Sequence, residues 1–89
     1  MFIPLDSSAC VLWRRKHVQA VTGLSRSSIY LRITQGLLPS PVALGARAVG
    51  WPQAEIEAVN RARIAGHDDA AIRVLVNDLL EQRTAGGAR

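Results

Sequence analysis

Apolar and polar positions change their spacing several times along the chain, and each change marks an element. Val18 and Val21 fall three apart on one face of a stretch from Arg14 to Val21, which predicts a first helix. Ala20 is small enough to sit where two helices cross closely. Thr22-Gly23 ends that helix, because glycine accepts positive φ most easily. Ser25 then caps a second helix that runs to about Gln35 and stops at Gly36. Leu24 precedes the cap as a staple against Ile29, and Ile33 continues the same face. The segment Leu37-Leu38-Pro39-Ser40-Pro41 must leave the helix, since its two prolines forbid one.

Two short apolar runs follow, Val42-Ala43-Leu44 and Ala48-Val49-Gly50-Trp51, separated by Gly45-Ala46-Arg47. That pattern predicts a β-hairpin with Arg47 at its tip. Pro52 suits the first turn of a third helix, with Glu55 and Glu57 favourable near its positive end. Ile56 and Val59 form its inward stripe, and the helix should fade by Gly66. Asp68 or Asp69 caps a fourth helix of about fifteen residues, along which Ile72, Leu75, Val76, Leu79 and Leu80 recur at helical spacing. Val11-Leu12-Trp13 is either a strand or a wrapped lead-in. The expected organisation is therefore a loose arm at 1–10, a winged helix-turn-helix at 11–66, an amphipathic helix at 67–84 and a flexible tail at 85–89. The fold class is mainly α: three helices and a two-stranded wing, with an additional C-terminal helix.

Charge sharpens this picture more than composition does. The chain has 89 residues, enough for one small domain, and a formal charge of +4. Between Asp6 and Glu55 it carries Arg14, Arg15, Lys16, Arg26, Arg32 and Arg47 and no acid. From Asp68 to Arg83 the balance reverses, with Asp68, Asp69, Asp78 and Glu81 against Arg73 and Arg83. A basic body suits a partner made of phosphates, and a mildly acidic C-terminal segment suits protein. Cys10 is the only cysteine, which excludes an intramolecular disulfide or a cysteine metal cluster. No apolar run approaches a membrane span and no signal peptide is evident, so a cytoplasmic location is expected.

The candidate chemistry is recognition of double-stranded DNA. Groups that read the major groove must stand on the exposed side of the recognition helix near its N-terminus. Ser25, Arg26, Ser27 and Ser28 occupy that turn: arginine can bridge guanine O6 and N7, and serine can serve a base edge or a phosphate. Tyr30, one turn on, either reaches a phosphate through its hydroxyl or caps the edge of the core. Arg47 on the wing suits a narrow minor groove or the backbone beside it. Arg14, Arg15 and Lys16 either contact phosphates or decorate a solvated face. Trp51 belongs to the core.

Catalysis is not expected. His67-Asp68-Asp69 are neighbours in sequence that do not converge as a site, His17 has no partner in view, and no phosphate-binding glycine loop precedes a helix. No metal or cofactor is implied. The stripe Ile72, Leu75, Val76, Leu79 and Leu80 either folds back onto the body or pairs with a second protomer. The second is preferred, because a small domain gains by it and DNA regulators commonly bind paired half-sites.

Taken as linked blocks, Thr22-Gly-Leu-Ser-Arg-Ser-Ser-Ile-Tyr30, Gly36-Leu-Leu-Pro39, Pro41-Val-Ala-Leu-Gly45 and Arg47-Ala-Val-Gly-Trp51 followed by Glu55-Ile56 resemble the AlpA-like prophage regulators. These are relatives of phage excisionases and of MerR-type DNA-binding domains, and the resemblance covers roughly Val11 to Ala65. It implies a transcriptional regulator of the integration and excision genes of a mobile element, acting as a homodimer or higher multimer on DNA. The alternative it implies is an excisionase that acts architecturally at an attachment site with an integrase. A protein-interaction module is the reading from a different class. Two positions depart from the family pattern. Members usually carry a basic residue directly after the tyrosine and an apolar one next, whereas here Leu31 precedes Arg32. The third helix commonly carries an aromatic and an aliphatic residue where this chain has Val59 and Asn60, so the core there should be smaller or more polar.

Overall fold

Short strands and helices alternate in the order β1 (Leu12–Trp13), α1 (Arg15–Thr22), α2 (Arg26–Thr34), β2 (Val42–Ala43), β3 (Val49–Pro52), α3 (Gln53–Ile64) and α4 (Asp69–Gly87). This computed structural model describes residues 11–87, with side chains as far as Thr84. The N-terminal arm expected at 1–10 and the last two residues lie outside the described residues. The architecture is mainly helical with a small antiparallel sheet, the elements of a winged helix-turn-helix plus one further helix.

The sheet has three strands rather than the two of the expected wing, in the order β1-β3-β2. Val11-Leu12-Trp13 supplies the third: Leu12 pairs with Pro52, Trp13 with Trp51, and the Gln53 N–H donates to the Val11 carbonyl at 2.8 Å. This satisfies the edge of β3 that a two-stranded hairpin would leave open. On its other edge β3 pairs with β2, Val42 against Gly50 and Ala43 against Val49. The Leu44 N–H donates to the Ala48 carbonyl at 2.7 Å and closes the three-residue tip predicted at Gly45–Arg47. Gly50 lies between both neighbours. A Cβ there would meet Leu44 Cδ1 at 2.9 Å and the Trp13 carbonyl at 3.4 Å, so a side chain at this position fits only if the Leu44 side chain moves aside.

Five fully buried side chains join the elements: Val18 of α1, Ile29 of α2, Trp51 of β3, Ile56 of α3 and Ile72 of α4. Burying each apolar side chain of this kind contributes about 1.5–3 kcal/mol. Leu37, Leu38 and Pro39 are buried as well. The segment that leaves α2 is therefore a plug in the core and not a surface connection. Val59 takes the inward position predicted for it. Ala20 does not: it is exposed, because the inward face of α1 is set by Val18.

The fourth helix packs in cis. Ile72 and Val76 are buried in the chain's own core, and Leu75, Leu79 and Leu80 are packed against it. All five residues assigned to self-association from their spacing thus cover the α3 side of the same domain. Two polar contacts hold the helix in place. The Arg73 Nε donates to the Gln35 carbonyl at 2.8 Å, and Arg83 pairs with the buried Glu55. Asp68 is the cap, its carboxylate accepting from the Ala71 N–H at 2.9 Å. The helix continues to Gly87, past the end predicted at Thr84, since adding residues to an established helix needs no new nucleus.

Ile72→Ala should lower stability by about 2–5 kcal/mol, as expected for truncating a fully buried side chain. Because the packing is intrachain, the urea midpoint of the wild type should not move with protein concentration. A midpoint that rises with concentration in the wild type but not in Ile72→Ala would mean that the stripe pairs protomers instead.

Candidate nucleic-acid interface

The helix-turn-helix is built from backbone economy at its turn. Gly23 has φ +75°, and its N–H donates to the Gln19 carbonyl at 2.9 Å, ending α1 in the left-handed conformation that glycine tolerates best. The Thr22 hydroxyl donates to the Val18 carbonyl at 2.7 Å and accepts from the Leu24 N–H at 3.3 Å, which fixes the chain as it turns. Leu24 packs on the core next to the start of α2. The Asn60 amide of α3 reaches across to the Val21 carbonyl at 2.9 Å and satisfies an acceptor at the end of α1. The more polar third helix expected from Val59-Asn60 is thus a tether to the turn.

The first turn of α2 is preorganised by its serines. The Ser25 hydroxyl oxygen accepts from the Ser28 N–H at 3.2 Å and donates to the Ser28 hydroxyl at 2.9 Å, and it lies 3.4 Å from that of Ser27. Ser25 is therefore chiefly the helix cap. Arg26 and Ser27 are exposed, while Ser28 is half-buried. One turn on, Tyr30 is 38% exposed with its ring edge-on to Trp51 at 6.4 Å, so it closes the edge of the core and is also open to solvent. Leu31 is 56% exposed, and Arg32 is half-buried beneath it. Arg26, Ser27, Tyr30 and Leu31 together form the outward face of the helix.

A second cluster forms where the sheet meets α1. Arg14, Arg15, Lys16 and the wing-tip Arg47 line one hollow of about 300 Å3 together with Val49. The topology explains the convergence. β1 runs directly into Arg14, and its pairing with β3 sets the start of α1 beside Val49, at the tip end of the hairpin. Four cations with no carboxylate in the lining among the described residues raise the local positive potential, and the N-terminus of α1 adds its own. Arg15 also donates through Nε to the Gln19 side chain at 3.2 Å. Sequence spacing treated Arg47 and the Arg14–Lys16 run as separate contacts, and the third strand is what brings them together.

Glu55, Asn60, Arg73 and Arg83 hold these surfaces in place and were not singled out from sequence as structural links. Arg83 grips both carboxylate oxygens of Glu55 and also donates from Nη2 to the Ser40 carbonyl at 2.7 Å. Trp13 meets His17 with the rings tilted at 44° and their centroids 4.5 Å apart. Among the described residues no three His, Cys, Asp or Glu side chains come together as a metal site. No described helix is long and apolar enough to cross a membrane.

A family model described as prophage CP4-57 regulatory protein (AlpA) matches residues 11–63, the span from β1 almost to the end of α3. The chain is also similar to the uncharacterized protein ORF88 of Enterobacteria phage P4, with 43% identity over 53 residues. That alignment covers 60% of this chain and 60% of the phage protein.

Ser25→Ala should cost about 1 kcal/mol through the lost cap. In thermal melts, Ser25→Gly should recover most of that loss, since glycine is a tolerated cap. Ser27→Ala, whose hydroxyl is exposed, should leave the melt within about 0.5 kcal/mol of wild type.

Proposed function

The chain belongs to the AlpA family of prophage regulatory proteins, and on that premise we propose that it is a sequence-specific transcriptional regulator acting on double-stranded DNA. Its targets are promoters of integration or excision genes of a prophage or integrative element. The outward face of α2 enters the major groove. Arg26 carries most of the base reading as a two-pronged donor, and Ser27 and Ser28 assist at a base edge or phosphate. Leu31 offers an apolar contact of the kind that favours a thymine methyl.

The hollow formed by Arg14, Arg15, Lys16 and Arg47 grips the phosphate backbone. The observation that supports this reading most is the pairing of these two surfaces: a capped helix with an exposed arginine in its first turn, and a separate cationic seat without acids. One supplies discrimination and the other affinity. Tyr30 contributes a phosphate contact at the edge between helix and core. Protomers pair on adjacent half-sites through a surface other than the inner stripe of α4, which the domain itself occupies.

Footprinting upstream of the gene and its neighbours tests the proposal. A discrete protected site is expected, and Arg26→Ala should weaken it by about 1–3 kcal/mol while leaving binding to unrelated DNA nearly unchanged. A site at a promoter supports the regulator. Tandem repeats inside an attachment site, with excision lost and transcription unchanged on deletion, would assign the chain to excisionases working with an integrase. Boundless protection that ignores Arg26→Ala would leave a protein-interaction role as the better account.

The basic hollow makes a different prediction. Replacing Arg14 or Arg47 with Ala should weaken operator and unrelated DNA alike. Each lost phosphate contact should lower the slope of log K against log salt by about 1.

A further inference from the structure

A half-open hollow of about 370 Å3 lies behind the helix-turn-helix, between the end of α1, α2, the Leu37-Leu38 segment and α3. Leu24, Leu37, Leu38 and Val59 give it apolar walls. Two guanidinium groups line it, Arg32 from α2 and Arg63 from α3. Arg63 donates through Nη1 to Asp69 at 2.9 Å, but its Nη2 is sealed from solvent with no hydrogen-bond partner among the described residues. A buried donor on a charged group left without an acceptor is unfavourable, so a movement of the Arg63 side chain that brings it one is favoured.

The other polar groups at the hollow are already used. The Asn60 amide is committed to the Val21 carbonyl, and the Thr22 hydroxyl to the Val18 carbonyl and the Leu24 N–H. No carboxylate is among the lining residues. Both departures from the family pattern meet here. The Leu31-Arg32 order sets Arg32 in the lining of the hollow while Leu31 is exposed, and Val59 and Asn60 line it from α3.

We propose that this hollow is a binding site for a small organic monocarboxylate. The carboxylate bridges the guanidinium groups of Arg32 and Arg63, the Arg63 side chain turning to uncover Nη2, and its apolar body lies against Leu24, Leu37, Leu38 and Val59. Guanidinium groups suit a carboxylate because their planar N–H forks match its two oxygens. The single negative charge fits the site, since Asp69 already offsets one of the two arginines. Inorganic phosphate would bring more charge than remains unmatched and no apolar surface for the walls. The volume falls at the small end of ligand sites, which span about 300–1,000 Å3. Because Leu24 belongs to the turn, the ligand would fix α1 against α2.

The test uses the full chain without DNA, so that it stands or falls apart from the DNA-binding reading. Hexanoate is titrated while amide chemical shifts and the melting temperature are followed. Saturable shifts at residues 21–24, 32 and 59–63 are expected, with a raised melting temperature. Hexanol and inorganic phosphate should give neither. Arg32→Gln and Arg63→Gln should each weaken hexanoate by roughly tenfold or more, the loss of a charged hydrogen bond, with the ligand-free melt of each variant reporting its fold. Absence of saturable shifts in the low millimolar range overturns the proposal. So do equal binding of hexanol, preference for phosphate, or undiminished binding by a folded Arg32→Gln.

Discussion

Trp51 is where the sheet, the recognition helix and the third helix are made to agree. Its side chain is fully buried, and its indole N–H has to find an acceptor, which it does at the Pro39 carbonyl, 3.0 Å away. That bond anchors the Leu37–Pro39 plug, whose own side chains are buried and which carries the chain from α2 to the wing. On the backbone, Trp51 pairs across the sheet with Trp13, the residue that leads into α1. At its ring edge it meets Tyr30, on the second turn of α2. One residue further on, Pro52 ends the strand and begins α3. The orientation of α2 relative to the wing therefore depends on a single large side chain with one polar atom. An aromatic without that donor would fill the space but would release the plug.

The C-terminal helix adds a second constraint of a different kind. A domain of this size buries too little surface to be generously stable, and α4 enlarges the core with Ile72 and Val76. Its polar contacts fall at three places where α2, α3 and the proline segment would otherwise carry unmatched groups. Arg73 satisfies a carbonyl at the end of α2, and Arg83 satisfies both Glu55 and the Ser40 carbonyl. Glu55 is the only buried charged residue among those described, and a buried carboxylate is tolerable only with such a partner. The helix thus acts as a clamp on the back of the domain, opposite in charge balance to the basic body it supports.

Elements set by local chemistry were legible in the sequence: the Gly23 turn, the Ser25 cap, the hairpin tip at Gly45–Arg47, the Asp68 cap and the inward residues Ile29, Ile56 and Val59. Each rests on a spacing of a few residues, and each has a short-range physical cause. What escaped sequence reasoning depends on long-range pairing. The role of Val11-Leu12-Trp13 could not be chosen without knowing that β3 had a free edge. The Glu55–Arg83 pair spans 28 residues and the Asn60 tether 39, so no periodicity announces either. The stripe on α4 was visible as a stripe, but an apolar face does not reveal whether it is covered in cis or in trans. At the candidate interface, Arg26 and Ser27 stand exposed as their positions on α2 imply, whereas Ser25 is more occupied with capping than its place in the motif suggested.

On the proposed DNA-binding reading, the same long-range pairing lets a small domain separate affinity from discrimination. Cations spread along a sequence repel one another and gain nothing from being together unless a polyanion lies across them. The third strand sets Arg47 against Arg14, Arg15 and Lys16 in advance of any partner, so the unfavourable approach of like charges is met during folding and opposed by the core. A phosphate backbone arriving there then finds the potential already concentrated. The reading face of α2 is built in the opposite way. Its serines hydrogen-bond among themselves and to the backbone, and Arg26 is left projecting from a turn that cannot unwind without losing its cap. An arginine held on a rigid first turn discriminates between base edges better than one on a mobile loop, because a misplaced fork forms one hydrogen bond where the right partner accepts two. Charge gathered by the sheet and geometry fixed by the cap are therefore separable, and substitutions in one need not disturb the other.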